Sequence, residues 1–164
     1  MEKKGNITYS DAIYLSNLIE RIPILEVDKD IRGEWYKTKS LLKPVLVDFN
    51  EEKTFILLLN GGIEKKNQQG ESYFDEPSYE LRKDFKGDDK QYKESLIETK
   101  NIKRTLFNLI TELGEQKTGV TIKAFMNDKQ FESILKLVQS SEFDSLRSIL
   151  VKGETKEYKD LKVA

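Results

Sequence analysis

The 164-residue chain contains no cysteine. Disulfides, thiolate metal sites, iron–sulfur clusters and cysteine nucleophiles are therefore excluded by composition. Histidine is absent as well. With it go the commonest general base, the Ser-His-Asp triad and every imidazole-ligated metal. Catalysis from this alphabet would have to use carboxylates, Lys, Tyr or a hard metal held by oxygen ligands. The expectation is a protein that is not an enzyme, with no catalytic residue, no cofactor and no metal.

Long apolar runs are also lacking. The longest, Phe55–Leu59, falls far short of the roughly 20 residues that span a bilayer, so no membrane partner is expected. No apolar segment follows Met1-Glu2-Lys3-Lys4-Gly5-Asn6, which argues against a secretory leader. Freedom from cysteine fits a cytoplasmic location. An excess of charge of one sign is missing too: 28 basic residues face 29 acidic ones, for a net charge of −1. No strong field steers such a chain to nucleic acid or an anionic membrane. A phosphate-binding glycine motif is absent, because Gly61-Gly62 precedes neither Lys-Ser/Thr nor a helical pattern and reads as a turn.

What is present describes a folded domain. Leu, Ile, Val and Phe number 48 of 164 residues, well above the roughly 20% below which disorder is expected. Lys outnumbers Arg 23 to 5, a bias that fits AT-rich coding in a low-GC bacterium or its phages and mobile elements. So few Arg also argue against sequence-specific readout of bases.

Periodicity predicts a helix over 10–21, capped by Ser10 and stopped by Pro23, with Ala12, Leu15, Ile19 and Ile22 on one face. Residues 24–40 alternate loosely and suggest one or two strands. Pro44–Phe49 and Thr54–Leu59, rich in Val, Ile, Leu and Phe, read as strands joined by a turn at Asn50-Glu51-Glu52-Lys53. Asn60-Gly61 then turns into a third strand through Ile63. Residues 65–93 lose periodicity and read as a long polar loop, either functional or disordered. Ser95-Leu96-Ile97-Glu98 matches a capping box that opens a helix to 113, Val120–Met126 alternates as a strand, and helices follow at 127–139 and 141–150. No heptad stands out. The fold class expected is α+β: residues 1–164 as a single domain, an antiparallel sheet (meander or OB-like) covered by three to four helices.

Two clusters carry the functional expectation. In the 65–93 loop, Tyr73, Phe74, Tyr79 and Phe85 are interleaved with cations such as Arg82. Tyr-rich loops make protein-binding surfaces, because the ring supplies contact area at little entropic cost. Tyr73, Phe74, Tyr79, Arg82 and Phe85 are the candidate partner-binding residues. The second cluster, Trp35-Tyr36-Lys37-Thr38-Lys39, would on a strand place Trp35, Lys37 and Lys39 on one face with Tyr36 on the other. Trp35, Tyr36, Lys37 and Lys39 are thus candidates for stacking on single-stranded nucleic acid. Acidic pairs such as Asp28/Asp30, Glu51/Glu52 and Asp88/Asp89 suggest a solvated surface more than a metal site. The reading is a non-catalytic bacterial, phage or mobile-element accessory protein that contacts another protein stoichiometrically, as inhibitor or adaptor. Single-stranded nucleic-acid binding is the alternative.

Overall fold

The computed structural model describes residues 6–77 and 86–153. It contains strand β1 (Asn6–Thr8), helix α1 (Tyr9–Arg21), a 3-10 turn (Ile24–Glu26), the long helix α2 (Lys29–Leu59), strands β2 (Ile63–Lys66) and β3 (Ser72–Asp75), and helix α3 (Asp89–Glu115). Strand β4 (Lys117–Thr121), helix α4 (Asp128–Val138), a second 3-10 turn (Glu142–Leu146) and the short helix α5 (Arg147–Leu150) complete it. The α+β class is as the sequence indicates. All strand pairing within the sheets is antiparallel and divided between two ribbons, β1 with β4 and β2 with β3. Contacts gather into two units: the described residues of Met1–Val47 with Gln116–Ala164, and Asp48–Glu115.

The first unit begins with a capping box. Thr8 Oγ1 accepts the N–H of Asp11, and the Asp11 carboxylate accepts the N–H of Thr8, both at 3.1 Å. This satisfies two otherwise orphaned donors, so the cap is Thr8 and the expected Ser10 lies inside α1. Ala12, Leu15 and Leu18 face inward. Pro23 follows the extended C-cap Ile22 and ends the helix. Arg32 then donates to the carbonyls of Val27 (3.0 Å) and Leu25 (2.6 Å), tying the 3-10 turn to the start of α2.

Helix α2 replaces the strands expected at 44–49 and 54–59, and the loose alternation of 24–40 is helical from Lys29 onward. The buried positions Ile31, Trp35, Thr38, Leu42, Val45 and Phe49 recur at intervals of four and three residues, the spacing of a helix seam. β-Branched and aromatic content favours strand locally, but an alternating strand would have set Leu42 on the face opposite Trp35. Burying Trp35 and Leu42 in the one core of the first unit requires helix. Thr38 satisfies its hydroxyl on the carbonyl of Glu34 at 2.8 Å. Pro44 sits inside the helix and has no N–H for the carbonyl of Ser40, a defect that burial of the stripe overrides.

The core of the first unit joins α1, α2 and the C-terminal elements. Trp35 stands edge-on to Phe125, with ring centroids 5.1 Å apart and planes at 90°. β4 reaches β1 through Thr118 Oγ1 to the Ile7 carbonyl (2.9 Å) and through the Tyr9 N–H to the Gln116 carbonyl (3.1 Å). Asn127 and Gln130 form a second reciprocal cap for α4, at 2.8 and 3.0 Å. Arg147 binds Asp128, Glu132 and Asp144 and lies 4.9 Å over the Phe131 ring, so one guanidinium fastens α4 to the 3-10 turn and α5. Glu132 first, then Asp144 and Asp128, hold its pKa above the ordinary arginine value.

In the second unit, α2 ends at Asn60-Gly61-Gly62, which is a helix stop and not the hairpin turn expected. The Leu57 carbonyl accepts the N–H groups of Asn60 (3.3 Å) and Gly62 (2.7 Å). Gly61 takes φ +84°, the left-handed value that terminates helices. The chain then forms the β2–β3 hairpin, in which Ile63 pairs Asp75 and Lys66 pairs Ser72. Asn67 organises the tip by accepting the N–H groups of Gln69 and Glu71, each at 2.9 Å. Of the stretch read as a polar loop, the residues up to Asp75 belong to this hairpin and those from Asp89 to the first turn of α3, while 78–85 lie outside the described residues. The cap of α3 is Asp88 with Gln91, their reciprocal bonds 2.8 and 3.1 Å long, two turns before the Ser95 capping box.

Two substitutions check the account of α2. Pro44→Ala restores a donor to the Ser40 carbonyl and should stabilise by about 1–2 kcal/mol, raising the melting temperature by roughly 3–6 °C. A lower melting temperature would show that α2 depends on its proline. A Cβ on Gly62 would lie 2.6 Å from the Leu57 carbonyl oxygen. Gly62→Ala should accordingly cost about 1–3 kcal/mol by thermal denaturation, and an unchanged midpoint would contradict the helix stop.

Candidate functional site

Of the five loop residues singled out from the sequence, Tyr73 and Phe74 lie among the described residues. Tyr73 lies on β3 and is 44% exposed. Phe74, its neighbour, is half-buried and by strand alternation points to the opposite face. Tyr73 pairs directly with Lys65, and Phe74 with Glu64. Tyr79, Arg82 and Phe85 lie outside the described residues. Lys65 forms an ion pair at 3.2 Å with Asp75. The Asp75 carboxyl is held below its usual range, first by the N–H of Glu76 (2.8 Å) and further by Lys65, with partial burial opposing. Lys65 is thus already engaged beside Tyr73.

The second cluster is corrected more sharply. Trp35 is 1% exposed and packed on Phe125, so its faces are closed to a stacking base. On a helix, Trp35, Lys37 and Lys39 do not share a side as they would on a strand. Tyr36 remains 57% exposed, and Lys37 pairs with Glu34 at 3.7 Å. Lys39 is exposed. Tyr36, Lys37, Ser40, Leu41, Pro44 and Val120 line a shallow, open depression of about 720 Å³.

In two of the acidic pairs one carboxylate has a structural role. Asp28 accepts the N–H of Asp30 (3.3 Å) and the side-chain amide of Gln130 (3.1 Å), and Asp88 caps α3. Glu51 and Glu52 are exposed on α2. Among the described residues no group of three or more acidic side chains is placed to hold a metal ion. No helix among them is long and apolar enough to cross a membrane.

What sequence reasoning missed is the outer surface of the second unit. Phe55 (56% exposed), Leu58 (54%) and Leu59 (67%) share one side of the last turns of α2, while Leu57 on the other side is buried. Ile97 (61%) and Phe107 (67%) stand out from α3. The signal lay in the apolar run Phe55–Leu59: as helix, five consecutive apolar residues cannot all face inward. No protein-family model, curated protein or solved structure matches the chain.

Proposed function

We propose that the chain acts without catalysis, by stoichiometric contact with another protein as an inhibitor or adaptor. One observation carries the reading. Among its described residues the second unit exposes seven large apolar side chains (Phe55, Leu58, Leu59, Ile63, Tyr73, Ile97, Phe107) and buries four (Phe49, Leu57, Leu106, Leu113). Scattered exposed apolar residues are ordinary, but a set adjacent at i, i+3 and i+4 marks an interaction surface. Tyr and Phe are also among the side chains that concentrate interface energy. The sequence supports the absence of catalysis through its lack of His and Cys.

Bacterial, phage or mobile-element origin rests on the Lys-for-Arg bias, and the cytoplasm as compartment on freedom from cysteine. Nucleic acid is the weaker reading, since the ring expected to stack is buried.

A photo-crosslinking amino acid at Leu58, introduced in the cells that make the protein, tests the proposal. One discrete covalent adduct with a different protein is expected, at one-to-one mass. The same group at Lys129, exposed on α4, should give none. Absence of an adduct at Leu58, or equal labelling at both positions, contradicts the proposal.

A further inference from the structure

Helix α3 has two seams. One is covered: Thr99, Leu106 and Leu113 are buried at intervals of seven residues. The other faces solvent. Lys90, Lys93, Ile97, Lys100, Arg104 and Phe107 follow each other at intervals of three, four, three, four and three, and all are exposed. None of the four cations takes part in an ion pair among the described residues. No acidic residue interrupts the seam between Lys90 and Phe107. Glu94 and Glu98 are exposed beside the seam without an ion pair to any of the four, so in a chain of net charge −1 the line of the seam itself carries four cations against no acid.

We infer that this outer seam of α3 docks an acidic amphipathic helix of the partner protein. The inference rests on the protein-contact function proposed above and gives the partner's chemistry. Alternation of three and four is the spacing along which a second helix packs, and the seam is about 25 Å long. Ile97 and Phe107 supply the apolar knobs. The four cations fix the sign of the partner, because a purely apolar helix would bury them unpaired, at a penalty that association cannot recover.

A second copy of the chain does not fit. In register and parallel, each cation meets itself; antiparallel about the midpoint, Lys93 meets Arg104. A membrane surface is disfavoured because interfacial helices keep cations at the margin of the apolar face, whereas here they occupy its midline. Nucleic acid would use the cations, but it offers no dry surface for Ile97.

The test uses the full-length protein and a fluorescent 21-residue helical peptide. The peptide carries Glu at four seam positions and Leu at two, and a companion has Gln in place of Glu. The Glu peptide should bind at micromolar concentration, at least tenfold more tightly than the Gln peptide, and weaken as salt rises. Lys100→Glu with Arg104→Glu should reduce its affinity at least tenfold, and a Lys-for-Glu peptide should bind that variant instead. Both sites are exposed, so the melting temperature should hold within a few degrees. Phe107→Ala, which leaves the charge intact, should weaken the Glu peptide independently.

Equal binding of the Glu and Gln peptides, or no effect of the double charge reversal, would overturn the assignment. So would tighter binding of a dT oligonucleotide or of phosphatidylserine vesicles that depends on the same two residues. An adduct at Leu58 alongside failure of the Glu peptide overturns this seam alone. Absence of the adduct overturns the contact function itself.

Discussion

Burial of the Trp35 indole in the first unit requires the helical register of α2. The ring closes on Phe125, and the same short segment places Met126 to bridge Val151 and to accept the N–H of Lys152 at 2.9 Å. One large side chain thus links α2 to the C-terminal elements. The arrangement has a cost, since the buried indole N–H of Trp35 finds no acceptor among the described residues. An unmet buried donor costs about 1–3 kcal/mol, and removal of the ring's large apolar surface from water offsets it. The proline within the same helix is tolerated for a similar reason: the stripe from Ile31 to Val45 gains more by staying in register than one missing hydrogen bond loses.

Where caps and apolar faces agree, the fold can be read from the sequence. α1 ends and α4 begins within a residue or two of the expected positions, because Pro23 and Asn127 are local signals whose chemistry does not depend on the rest of the chain. Residues 44–59 show the opposite case. Val45, Val47, Phe49, Phe55 and Ile56 favour strand by composition, and Asn60-Gly61 completes the resemblance to a hairpin. The competing evidence was the four-three recurrence from Ile31 to Phe49, masked by Thr38, a polar residue in the stripe that satisfies itself on Glu34. Tertiary burial decided between two local patterns. The α3 boundary was missed because Asp88–Gln91 is a less familiar capping pair than Ser95–Glu98, although both fit the same geometry.

The candidate site was legible only in part. Tyr73 is exposed as anticipated, but alternation along β3 sends Phe74 to the other face, and Trp35 belongs to the core. The surface that carries the proposal depends on residues 55–59 being helical, so an error about secondary structure there concealed the site as well. Once Phe55, Leu58 and Leu59 are placed on a helix, their exposure follows from the 100° step between residues. The cationic seam of α3 was hidden for the same reason, since its first turn fell within what reads as a polar loop.

The central claim is that the apolar surface of the second unit is completed by a different protein. Native mass spectrometry of the complex, isolated under mild conditions from the cells that naturally make it, tests this most directly. The account predicts a species whose mass equals one copy of this 19.1 kDa chain plus one copy of another protein. Recovery of the bare chain alone, or of a homo-oligomer only, would contradict it.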